Sequence, residues 1–111
     1  MGFRLDWPGH SLAYVTDTTA SVDADYIDRI RGVDLLLHEC NFTDDQRDYA
    51  IKTGHSHTTP VAEVARKADV SSLLLVHMNP LVTDADPIQL DVARKIFPRT
   101  EVAYDGQVVE F

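Results

Sequence analysis

Val33-Asp34-Leu35-Leu36-Leu37-His38-Glu39-Cys40 decides the fold: it is an apolar run too short for a helix, preceded by Gly32 and closed by a histidine and an acid. Short apolar runs bounded by turn formers are buried strands, and the pattern predicts one over Val33 to Leu37. Ser72-Leu73-Leu74-Leu75-Val76-His77 repeats it, giving a second buried strand over Ser72 to Val76. Between them, Thr43 and Gln46 resemble a capping box opening a polar helix over 44 to 53. Thr59-Pro60 sets a capping hydroxyl before a first-turn proline, with Val61, Val64, Ala65 and Ala68 as the apolar face of a helix over 60 to 69.

Toward the amino end, Phe3 to Asp6 and Leu12 to Thr16 read as strands joined by Trp7-Pro8-Gly9-His10, a hairpin. Tyr26, Ile27 and Ile30 fall at helical spacing within Val22 to Arg31, with Ser21 as cap and Gly32 as left-handed stop. Toward the carboxyl end, Asp86-Pro87 opens a helix carrying Ile88, Leu90, Ala93 and Ile96. Glu101 to Tyr104, an Asp105-Gly106 turn and Gln107 to Glu110 then read as a hairpin. Strands and helices alternate in the middle, so the fold class is α/β with a mixed sheet and flanking helices.

At 111 residues the chain is one domain and excludes two. Ten basic against eighteen acidic residues, a net charge of −8, repel phosphate backbones and count against unassisted nucleic-acid binding. The apolar runs are far short of a membrane span. One cysteine, Cys40, and no apolar leader set a reducing, cytoplasmic expectation. Cys40, without a second thiol, reads as a packed small hydrophobe, and His10 as a surface residue in a polar turn.

Asp17, His38 and His77 each stand where an apolar strand ends, the place where layered α/β folds bind ligands. Singly, each is a turn former or structural hydrogen-bonding group; three together point to a site. His38-Glu39 offers a base whose imidazole is oriented by a carboxylate, with a buried structural hydrogen bond as the equal alternative. Gly54-His55-Ser56-His57-Thr58 puts two imidazoles in a loop before a helix amino terminus. There they can serve a bound anion or protonate a leaving oxygen, or else are simply solvated beside a cap.

The ordered elements Ser11-Leu12-Ala13-Tyr14-Val15-Thr16-Asp17-Thr18, Leu35-Leu36-Leu37-His38-Glu39-Cys40, Gly54-His55-Ser56-His57-Thr58 and Leu74-Leu75-Val76-His77 resemble the second half of a metallo-β-lactamase-fold hydrolase, nearest to the ribonuclease Z and phosphodiesterase branch. The resemblance implies half of an αββα sandwich whose parent holds two zinc ions, with manganese or iron compatible with the same donors. It implies Asp17 as the bridging metal ligand, His77 as the last metal-binding histidine and His55 as the group assisting the leaving oxygen, with His57 an extra imidazole in the same loop; Glu39, from the His38-Glu39 pair, joins the expected catalytic set on the reading of the residues alone.

The His-x-His-x-Asp-His motif of the superfamily's first half is not in this sequence. The expectation is therefore a carboxy-terminal half, inactive alone, whose parent cleaves a phosphodiester. Met78-Asn79-Pro80-Leu81 stands where the ribonuclease Z branch has a serine and an Arg-Tyr pair, which with the acidic charge counts against transfer RNA. The alternatives are a hydrolase of non-phosphate esters or lactones, and a non-catalytic association module that dimerises through an apolar sheet face.

Overall fold

The structure, a computed structural model, describes residues 2–76, 89–103 and 108. Strands β1 (Gly2–Trp7) and β2 (His10–Val15) pair antiparallel, with Trp7 opposite His10. Pro8 and Gly9 make the two-residue turn, Gly9 supplying a φ of +84° that a side chain would resist. The chain continues through α1 (Ile27–Ile30), β3 (Leu35–Glu39), a 3₁₀ turn at Asp44–Gln46, α2 (Arg47–Thr53), α3 (Thr58–Lys67), β4 (Ser72–Val76), α4 (Leu90–Ile96) and β5 (Thr100–Val102). The sheet order is β1-β2-β3-β4-β5, with β2 through β5 mutually parallel. This is the mixed α/β sheet that the sequence predicts.

Strand order fixes where the helices go. Right-handed crossovers between strands that advance in one direction across a sheet all fall on one face. Side chains of alternating parity show it: Ala13, Val15, Leu36, Leu73 and Leu75 join Ile27, Ile30, Val61, Val64 and Ala65 in a single core. The opposite parity carries Leu12, Tyr14, Leu37 and Leu74, continued on β1 by Phe3, Leu5 and Trp7, which are 55%, 52% and 43% exposed. Phe3 stacks on Tyr14 at 5.6 Å. The described residues thus form one sheet with one helix layer, and the second face is an apolar surface.

Several boundaries differ from the sequence reading. β3 starts at Leu35 and runs to Glu39, so His38 and Glu39 lie inside the strand and not beyond it. Asp34 is held outside it by Ser11, whose amide donates to the Asp34 carboxylate at 2.8 Å. The helix expected over Val22 to Arg31 shrinks to Ile27–Ile30, because Ser21 to Ile27 is taken up by successive i to i+3 turns. Thr43 forms no side-chain cap, and the predicted 44 to 53 helix begins with a 3₁₀ turn. α3 begins two residues early, at Thr58. β4 matches its predicted span. The Asp86-Pro87 helix start, and the carboxy-terminal hairpin beyond Ala103 save for Val108, lie outside the described residues.

Leu36 is fully enclosed in this core. Leu36→Ala is expected to cost about 2–5 kcal/mol of unfolding free energy, measured by denaturant titration. Loss of less than about 1 kcal/mol would contradict the packing described.

Candidate active site at the carboxyl edge of the sheet

The last two residues of β3 point to opposite faces and take opposite roles. His38 faces the helices, fully buried; one ring nitrogen, Nδ1, lies 2.8 Å from the Glu39 carbonyl oxygen and the other, Nε2, 2.8 Å from the Tyr26 hydroxyl. A carbonyl only accepts, so Nδ1 carries the proton and Nε2 accepts from Tyr26. Burial lowers the His38 pKa to about 4 against the favourable Glu39 carbonyl bond, and burial, aided by the Glu39 charge, pushes the Tyr26 hydroxyl up. His38 is therefore a neutral structural residue. Its expected pairing with the Glu39 carboxylate does not form.

Glu39 turns instead to the loops beyond the strand ends. Its side chain is fully buried; Oε1 accepts the Thr18 amide at 2.7 Å and Oε2 accepts Nδ1–H of His55 at 2.8 Å. Ser56, also fully buried, donates its hydroxyl to the Thr18 carbonyl at 2.6 Å and accepts the Ala20 amide at 2.9 Å. The loop after β2 is thereby fastened to the loop before α3 by two bonds to Ser56 and, through Glu39 of β3, by a third link to His55. Asp17 lies between Val15, the end of β2, and the anchored Thr18; it is exposed and held at a φ of +53°. Asp tolerates this left-handed region better than most residues. The sequence reading missed Thr18 and Ser56; the only signal was a small hydroxyl residue between two histidines.

His57 serves a separate cluster. Its Nδ1–H donates to Asp44 at 2.7 Å, and Asp44 also accepts the Thr59 amide at 2.8 Å and the Thr59 hydroxyl. Asp44 thus caps α3 from outside the helix, in place of the predicted Thr59 cap, which is why α3 begins early. Burial works to raise the Asp44 pKa, but Thr59 and His57 together outweigh it and hold the carboxyl low. Cys40 is enclosed; burial pushes its thiol up to about 12, leaving it no nucleophilic character near neutral pH.

Among the described residues no group of three or more His, Cys, Asp or Glu side chains converges to hold a metal ion. Asp17 stands at the sheet edge. β4 ends at Val76, level with Glu39, and the next residue, His77, lies outside the described residues. No helix of the described residues is long and apolar enough to cross a membrane.

Sequence comparison places this sheet and its carboxyl edge in a known family. Residues 1–78 match the profile of the Beta-lactamase superfamily domain, and the chain belongs to that superfamily. Among curated proteins it is 37% identical over 102 residues to the ribonuclease Z of Prochlorococcus marinus and 34% identical over 103 residues to that of Archaeoglobus fulgidus. These matches cover 88% and 92% of this chain but only 32% and 33% of the relatives, so the chain spans about a third of their length. Among solved structures, the metallo-beta-lactamase fold protein YhfI from Bacillus subtilis superposes with a TM-score of 0.83 at 26% identity, covering 98% of this chain and 43% of that one. The short form of human tRNase Z gives 0.77 at 22% identity, covering 98% and 37%, and Zn(2+)-bound PqqB from Methylobacterium extorquens 0.67 at 24%, covering 99% and 43%. These last two speak for the fold.

The buried neutral His38 has a consequence for stability. Its folded pKa, near 4, lies below the unfolded value of about 6.5, so the unfolded chain binds more protons between those limits. Its contribution is present above about pH 6.5 and is lost as pH falls toward 4, on the order of 3 kcal/mol in all. Comparing wild type with His38→Gln by denaturant titration from pH 7 to 4 should show a shallower pH dependence in the variant. Identical slopes would refute the assignment.

Proposed function

We propose that the chain is the carboxy-terminal half of a dinuclear metal-dependent hydrolase that cleaves a phosphodiester, with His55 protonating the departing oxygen. The carrying observation is the 2.8 Å bond from His55 Nδ1 to the buried Glu39 carboxylate, itself locked by the Thr18 amide. That bond sets the imidazole tautomer, with the proton on Nδ1, and Nε2 is the nitrogen assigned to exchange a proton with substrate. Glu39, fully enclosed, acts through His55 and is a positioning residue. His57 positions the loop by holding α3.

For the metal, Asp17 and His77 are the proposed ligands from this chain, zinc being the favoured ion and manganese or iron suiting the same donors. Two donors fall short of the three or more that a catalytic ion needs. The remaining ligands belong to the amino-terminal half, which also covers the apolar sheet face. When bound, such ions supply an acidified water and positive charge opposite the phosphoryl oxygens. The relatives' name, ribonuclease Z, and the charge of −8 pull apart on substrate; the acidity of this segment favours a phosphodiester smaller than transfer RNA.

A second reading has its own observation. The exposed Phe3, Leu5 and Trp7 suit an association module that buries this face against another chain. Metal content after dialysis and turnover of bis(p-nitrophenyl) phosphate by this chain and by the longer protein containing it separate the two. The half-enzyme reading expects metal and activity in the longer protein only. Tight stoichiometric zinc in the short chain would contradict the ligand count.

The acid role has its own test in the longer protein. His55→Ala should lower kcat about 10²- to 10⁴-fold for a nucleoside leaving group and far less for p-nitrophenolate, which departs without a proton. Glu39→Ala should follow the same pattern, and the double variant should be no worse than His55→Ala, since the two act as a unit. Undiminished turnover of the nucleoside-leaving substrate in His55→Ala would sink the role.

A further inference from the structure

The loop that delivers His55 carries an aromatic path to the surface. Asn41 and Phe42 donate their amides to the Ser56 carbonyl at 3.2 and 3.3 Å, and Phe42 forms a parallel bridge with His57, so the backbone beyond β3 is clamped to the histidine loop. The Phe42 ring is buried there, its centroid 6.4 Å from the His55 ring. Tyr49, on α2, meets Phe42 edge-on at 5.2 Å, yet 57% of its surface is open. The Thr53 hydroxyl donates to the Tyr49 carbonyl at 2.9 Å, and Gly54 closes the helix in a left-handed conformation, so the short helix bearing Tyr49 is fixed against this loop.

We infer that Tyr49 is a specificity-determining platform on which the aromatic ring of the leaving group stacks, selecting substrates whose departing alcohol carries a nucleobase or aryl ring. This rests on the reading of His55 as the acid for the leaving oxygen, Tyr49 being joined to the His55 ring through Phe42. Base-on-aromatic stacking is sequence-tolerant because every base presents a π face. The surrounding charges limit the ligand's length. Between Thr43 and Gly54 three acids, Asp44, Asp45 and Asp48, face two cations, Arg47 and Lys52, so this surface suits one ring rather than a run of phosphates.

The test uses the metal-loaded longer protein that contains this chain, with a dinucleoside monophosphate and its counterpart whose leaving ribose lacks a base. Tyr49→Ala should lower kcat/KM for the dinucleoside about tenfold, the size of one stacking contact, and leave the abasic substrate within about twofold. Tyr49→Phe should retain the preference. Adenosine should inhibit the wild type more tightly than ribose, and Tyr49→Ala should erase that difference. Equal losses on both substrates, or an unchanged preference in Tyr49→Ala, would overturn the platform while leaving the acid role of His55 standing. Failure of the wild type to cleave either substrate would overturn both.

Discussion

The structure depends on one buried carboxylate. Glu39 ends a central strand with no exposure to water, and an isolated carboxylate there would be costly to desolvate. Its oxygens are satisfied by the Thr18 amide and the His55 imidazole, which arrive from different loops. Satisfying the charge therefore also brings these two loops together. Ser56 repeats the logic on a smaller scale, bridging the same two loops with one hydroxyl.

That arrangement explains why neighbouring residues divide their work. His38 and Glu39 alternate across the strand, so one enters the helix-side core and is neutralised by burial while the other reaches the sheet edge. His55 and His57 bind different acids, Glu39 and Asp44. In each pair the two side chains meet different partners. Adjacency in sequence is a poor guide to shared function when the backbone is extended.

The fold was legible where burial alone decides it. Leu73 to Leu75 and Leu35 to Leu37 announce buried strands, and Pro8-Gly9 announces the hairpin. The edges were less legible because partners distant in sequence set them. β3 continues through His38 and Glu39 since Tyr26 and His55 complete their hydrogen bonds. α3 opens at Thr58 since Asp44, fourteen positions earlier in the chain, supplies its cap. Of the site, the histidine loop could be read from spacing, whereas the partner of Glu39 could not: His38 is adjacent in sequence, but the strand turns it to the other face.

Position 17 is where backbone ease and chemistry disagree. A residue with a Cβ held left-handed between two fixed neighbours gives up on the order of 1 kcal/mol that glycine would recover, yet glycine carries no donor. Glycine at position 17 would relieve the backbone and remove an exposed carboxylate from the sheet edge. Backbone ease and the proposed ligand role therefore ask for different residues at this position.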